Sequence, residues 1–61
     1  MAITAAVLDY LRAHPGRMFN TREIADGADL PDRAVQRALA ELVRLGAVTA
    51  WRGGNARQYS A

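Results

Sequence analysis

The 61-residue sequence has no cysteine and no lysine, and only one histidine, one serine, one phenylalanine and one tryptophan. Without cysteine there is no disulfide staple, no zinc knuckle and no thiol nucleophile. A chain of this size buries only about 60% of its unfolded surface, so its stability rests on packing or on a partner. No apolar run approaches the roughly 18 residues of a membrane span, and the opening Met1-Ala2-Ile3-Thr4 lacks the charged start of a signal peptide. A lone histidine, a penultimate serine and the lack of a glycine-rich phosphate loop leave no catalytic constellation. The acids are scattered as helix caps and surface charges rather than as a convergent pair, so no enzyme, cofactor or metal site is expected.

What the chain does have is alanine and arginine. Thirteen alanines among the apolar residues leave eighteen larger apolar side chains, enough for one thin core. Eight arginines stand against six acids, for a net charge of +2. Their distribution says more than their sum: three arginines and five acids lie between Thr21 and Glu41, but three arginines and no acid between Leu42 and Ala61. The C-terminal third is the electropositive end. The guanidinium fork suits phosphate and the guanine edge in a way that a lysine point charge does not.

Periodicity divides the chain into five elements. Ile3, Val7, Leu8 and Leu11 fall on one face of a first helix over about 3–13, which His14-Pro15-Gly16 stops. Met18 and Phe19 form an apolar pair, read as core residues and as a short strand. Asn20 as N-cap with Glu23 three residues on is a capping-box pattern, and Phe19 and Ile24 occupy the hydrophobic-staple positions. This second helix is expected to break at Gly27. A third helix starts near Pro31 or Asp32, with Asp32 as its cap, and runs to Leu45, with Gly46 as a left-handed stop. At about 100° per residue, Val35, Ala38, Leu39, Leu42 and Leu45 cluster on one side, with Arg33, Gln36, Arg37, Ala40 and Arg44 opposite. Beyond Gly46 the period becomes alternating: Val48, Ala50 and Arg52 against Thr49 and Trp51. Gly53-Gly54-Asn55-Ala56 then supplies a hairpin turn before Arg57-Gln58-Tyr59.

The fold class is therefore mostly α with a small β-hairpin: three helices and a C-terminal two-stranded ribbon in one domain, residues 1–61. Three stretches carry a resemblance to a known family: Phe19 to Ala25, Leu30 to Leu39, and Leu42 to Val48 with Tyr59. In this order and spacing the chain resembles the winged helix-turn-helix domain of bacterial MarR-like and ArsR-like transcription regulators. The resemblance implies double-stranded DNA binding, with helix 32–45 in the major groove and wing 48–59 on the backbone or in the minor groove. With neither a membrane span nor a signal-peptide start in the sequence, a cytoplasmic protein is expected, nucleoid-associated when bound to DNA. The partner is then DNA, with a homodimer or a larger protein assembly left open, and no small-molecule effector or membrane is expected. The alternative is a docking module of a larger assembly, since winged helices also serve that role. RNA binding ranks third, for want of an aromatic platform.

Carried over residue by residue, the resemblance makes Arg33, Gln36 and Arg37 candidates for base contacts, because arginine pairs with guanine and glutamine with adenine. Thr21 and Arg22, at the start of the second helix, and Arg44 are candidates for phosphate. Arg52, Asn55 and Arg57 flank the wing tip. Any one of these arginines alone reads equally well as part of a solvated face. Trp51 is read as packing at the base of the wing rather than stacking on a sugar or base.

Overall fold

The computed structural model describes residues 2–54 and 56–61. Its elements are α1 (Ile3–Arg12), α2 (Thr21–Ala28), α3 (Asp32–Arg44), β1 (Thr49–Gly53) and β2 (Ala56–Ser60). Three helices followed by a two-stranded antiparallel sheet match the architecture expected from the sequence.

Each helix ends for an identifiable reason. At the end of α1 the His14 ring Nδ1 lies 2.8 Å from the Tyr10 carbonyl. Since a carbonyl only accepts, that nitrogen carries the hydrogen and satisfies one of the helix's orphan acceptors. Gly16, at φ 79°, then turns the chain. The capping box at α2 is complete: the Glu23 amide donates to Asn20 Oδ1 at 2.8 Å, and the Asn20 amide donates to Glu23 Oε1 at 2.9 Å. Phe19 and Ile24, the staple pair, are both buried.

Gly27 does not break α2, which runs on to Ala28. The stop is Asp29, in the left-handed conformation at φ 57°, with the Leu30 amide reaching back to the Ala25 carbonyl at 2.9 Å. Asp29 does what glycine commonly does, because its short polar side chain tolerates that region. Gly27 has another role: a Cβ there would collide with the ring and hydroxyl of Tyr10. The missing side chain leaves room for the Tyr10 ring of α1 against α2.

Pro31, not Asp32, occupies the N-cap of α3, with no side-chain cap bond, and Asp32 takes the first helical position. There its carboxylate favours the positive end of the helix dipole. At the far end the Ala47 amide donates to the Leu42 carbonyl at 2.9 Å, and the Gly46 amide to the Val43 carbonyl at 3.0 Å. This is a Schellman stop with Gly46 at φ 78°. Because the helix closes at Arg44, Leu45 lies past its last packed turn and is 64% exposed rather than in the core.

The core sits where the three helices meet the inner side of the sheet, around Val7, Leu11, Ile24, Val35 and Leu39, which are all fully buried. Ala25 and Ala38 are buried among them, so part of the alanine content serves close helix packing. The sheet pairs Ala50 with Tyr59, Trp51 with Gln58 and Arg52 with Arg57. Phe19 adds an antiparallel bridge to Tyr59, with two backbone hydrogen bonds of 3.0 and 2.8 Å. Met18, on the other side of that short strand, is 44% exposed, which corrects its assignment to the core.

The Tyr10–Gly27 contact yields a stability prediction. An alanine in a helix gains about 1 kcal/mol over glycine, but Gly27→Ala displaces a Tyr10 ring packed at a tilt against His14 and Phe19, with ring centroids 4.6 and 5.4 Å away. Overpacking of this kind costs about 1–3 kcal/mol, so thermal melts are expected to show net destabilisation. In a Tyr10→Ala background the same change is expected to stabilise.

Candidate nucleic-acid interface

The outward side of α3 carries Arg33, Gln36, Arg37, Ala40 and Arg44, all exposed, as the helical period requires once Val35, Leu39 and Leu42 are buried. These residues are not equivalent. Gln36 and Ala40 border a cleft of about 450 Å³ whose other walls are Thr21 of α2, Val43, and Ala50, Arg57 and Tyr59 of the sheet. Arg37 borders a shallower hollow on the opposite flank, beside Ile3 and Thr4 of α1. The helix therefore presents Gln36 toward the wing and Arg37 toward α1, with Arg33 on the crest between them.

Strand alternation sorts the wing into two faces. Ala50, Arg52, Arg57 and Tyr59 share the face that packs on the helices, because Tyr59 is buried there. Trp51, Gln58 and Ser60 share the other. Trp51 is 48% exposed and its indole Nε1 donates to Ser60 Oγ at 2.9 Å. It lies across the outer face of the hairpin, so it does not pack into the core at the wing's base as expected from the sequence. Asn55 lies outside the described residues.

The candidate arginines differ in what already holds them. Arg44 donates from one guanidinium nitrogen to both Glu41 carboxylate oxygens, at 2.6 Å each. That hydrogen bonding, and then the charge itself, holds the Glu41 carboxyl below its ordinary range and raises the Arg44 guanidinium above its own. Arg22 stands 3.7 Å from Asp26 and 4.0 Å from Asp32, spanning α2 and the start of α3. Among the described residues, Arg33, Arg37, Arg52 and Arg57 have no carboxylate within 4.0 Å. Thr21 opens α2, where the first-turn amides lack intrahelical partners.

The structure thus brings Thr21, Gln36 and Arg57 around one cleft, sets Arg33 and Arg37 on the crest and far flank of α3, and diverts Arg22 and Arg44 toward acids. Three contributors were missed by reading the sequence for chemistry. Val43 and Ala50 line the cleft as apolar surface, a role hinted at by the place of Val43 at the margin of the apolar side of α3 and by the alternation of Val48, Ala50 and Arg52. Glu41 was passed over although it stands three residues before Arg44, the spacing of a helical ion pair.

The sequence matches the IclR helix-turn-helix domain over residues 2–50. The chain belongs to that family. Residues 2–50 of this IclR helix-turn-helix domain span the three helices and the start of β1. The family is one of winged-helix DNA-binding domains of bacterial regulators, not of enzymes, and the resemblance to MarR-like and ArsR-like regulators comes down to the winged helix they have in common. No curated protein matches the sequence. A winged-helix structure from a study of the DNA recognition and protein interaction domains of HOP2 superposes with a TM-score of 0.88 at 22% identity, covering 98% of each chain. At that identity the likeness is one of fold. Among the described residues no helix is long and apolar enough to cross a membrane, and no cluster of His, Cys, Asp or Glu is arranged to hold a metal ion.

The Glu41–Arg44 pair sets a pH dependence. A carboxyl held below its unfolded pKa contributes stability that is present above the unfolded value and lost as pH falls through the folded one. Glu41→Gln removes that contribution. The stability difference between the parent and Glu41→Gln is therefore expected to be constant at neutral pH and to shrink as acid titrates Glu41. The pair is exposed, so the difference is small. Thermal melts of both proteins across the acidic range measure it.

Proposed function

We propose that this domain binds double-stranded DNA sequence-selectively, as the reading head of a transcription regulator. Helix 32–45 lies in the major groove, where Arg33, Gln36 and Arg37 contact bases. Wing 48–59 runs along the backbone or into the minor groove, and Thr21, Arg22, Arg44, Arg52, Asn55 and Arg57 serve phosphates. The observation that carries this reading is the placement of Arg33 and Arg37 on the exposed side of α3 and of Arg52 and Arg57 on the inner face of the wing, each with no carboxylate within 4.0 Å among the described residues. Arg12 and Arg17, also without one, lie at the end of α1 and just after it, so position rather than lack of a partner marks the set.

A single module of this kind covers only about 600–1,000 Å² of surface. Strong selectivity then calls for a second copy or a partner that adds effective concentration. In this reading residues 1–61 act as one domain, in the cytoplasm and on the nucleoid. A protein-docking role is the second reading, and it is favoured by the half-exposed Trp51 and Met18, which lie away from the arginine face.

Salt dependence separates the two. With about four to six phosphates neutralised, log K for a duplex is expected to fall against log salt with a slope of roughly −4 to −5. A flat response, or no binding at low salt, supports docking instead. Arg37→Ala is expected to lose about 1–3 kcal/mol and to relax preference at one base pair, measured by selection from random duplexes. An equal loss on every sequence would mean that α3 does not read bases.

A further inference from the structure

Arg52 and Arg57 are directly opposed partners across the hairpin, on the same face, one residue pair in from the turn. Like charges in that position repel and weaken the ladder. The last twenty residues contain no acid to relieve them, and no carboxylate among the described residues lies within 4.0 Å of either. Both border a hollow of about 300 Å³ whose other walls, among the described residues, are Gly54 and Ala56. Two like charges thus stand at opposed positions of the ladder, at a cost to the hairpin, beside a hollow that both line.

We propose that Arg52 and Arg57 close jointly on one phosphate of the DNA backbone, so that the bound phosphate cross-links the two strands and firms the wing. The proposal rests on the DNA-binding reading and deepens it: the wing pair is a single-phosphate clamp rather than two independent contacts or a probe of the minor groove. Arg57 also borders the larger cleft beside Gln36. The clamp therefore fixes the distance between the gripped phosphate and the base-reading side of α3. Arginine is suited to this work because each fork donates two parallel hydrogen bonds to phosphate oxygens.

The clamp makes opposite demands on free and bound protein, and that opposition is the test. In the absence of DNA, Arg57→Gln removes the repulsion and is expected to raise the melting temperature. Inorganic phosphate, compared with sodium chloride at equal ionic strength, is expected to slow amide exchange in β1 and β2 of the parent but not of the double variant Arg52→Gln/Arg57→Gln. On a random-sequence duplex, each single variant is expected to lose most of what the double variant loses. The double variant's salt slope is expected to be shallower by about 1, the contribution of one phosphate.

Additive losses with a slope shallower by about 2 would overturn the shared clamp in favour of two separate phosphates. A loss confined to duplexes with narrow A-tract grooves would overturn it in favour of minor-groove insertion. A lower melting temperature for Arg57→Gln, with no phosphate-specific protection in the parent, would show that the pair is not an anion site. If the parent binds no duplex at all, the DNA-binding reading fails, and the clamp is then decided by the phosphate protection alone.

Discussion

The two backbone hydrogen bonds between Phe19 and Tyr59 hold the rest of the arrangement together. A two-stranded hairpin is marginal by itself in water, and this one has a tip of glycines and like-charged arginines. What gives it a fixed direction is a third short strand, supplied by the residue just before the α2 cap. Phe19 is at once a staple residue of α2, a core side chain and the sheet's third partner. Tyr59 closes the core from the other side. Through this junction the capping box at Asn20 and the inner face of the wing are tied together. Thr21, Gln36 and Arg57 consequently meet around one cleft, although they are far apart in sequence.

With the wing anchored, electrostatics divides the arginines by neighbourhood rather than by number. Acids lie mainly on α2, at the start of α3 and at Glu41, and they engage Arg22 and Arg44. Such exposed pairs contribute little to stability. They nevertheless partly offset two of the cations that an approaching phosphate meets. Arg33, Arg37, Arg52 and Arg57, with no carboxylate within 4.0 Å among the described residues, run from the crest of α3 to the wing, while Arg12 and Arg17 stand apart at the end of α1 and beyond it. Those four, half of the eight arginines, are thereby placed on α3 and the wing of a domain only 33 × 20 × 20 Å across.

Elements governed by local rules were legible in the sequence. The Asn20–Glu23 box, the His14-Pro15-Gly16 stop, the Gly46 reversal and the alternation after it are each set by a few neighbouring residues. The features that were misread depend on tertiary context. Gly27 looked like a helix breaker, but it accommodates Tyr10, seventeen residues away in sequence and adjacent only once α1 packs on α2. Asp29 ended the helix without glycine because its short polar side chain tolerates the left-handed region, and the Leu30 amide then donates to the Ala25 carbonyl. Leu45 matched the apolar stripe by angle, yet the helix closed one residue before it. Trp51 followed the strand alternation to the outer face, and its indole nitrogen found Ser60 there. The site was legible as a set of exposed arginines on α3 and the wing. Which of them carboxylates would engage was not, because that depends on where Glu41, Asp26 and Asp32 come to lie.

The central claim is that one side of the molecule, from the start of α2 across α3 to the inner face of the wing, meets DNA. The most direct measurement is the change in backbone amide NMR signals as a short duplex is added to the domain. The account predicts shifts concentrated at Thr21, Arg33, Gln36, Arg37, Ala40, Arg52 and Arg57, with α1 residues Ala5, Asp9 and Arg12 unmoved. Shifts centred instead on Met18, Trp51 and Gln58, on the outer face of the wing, would contradict it.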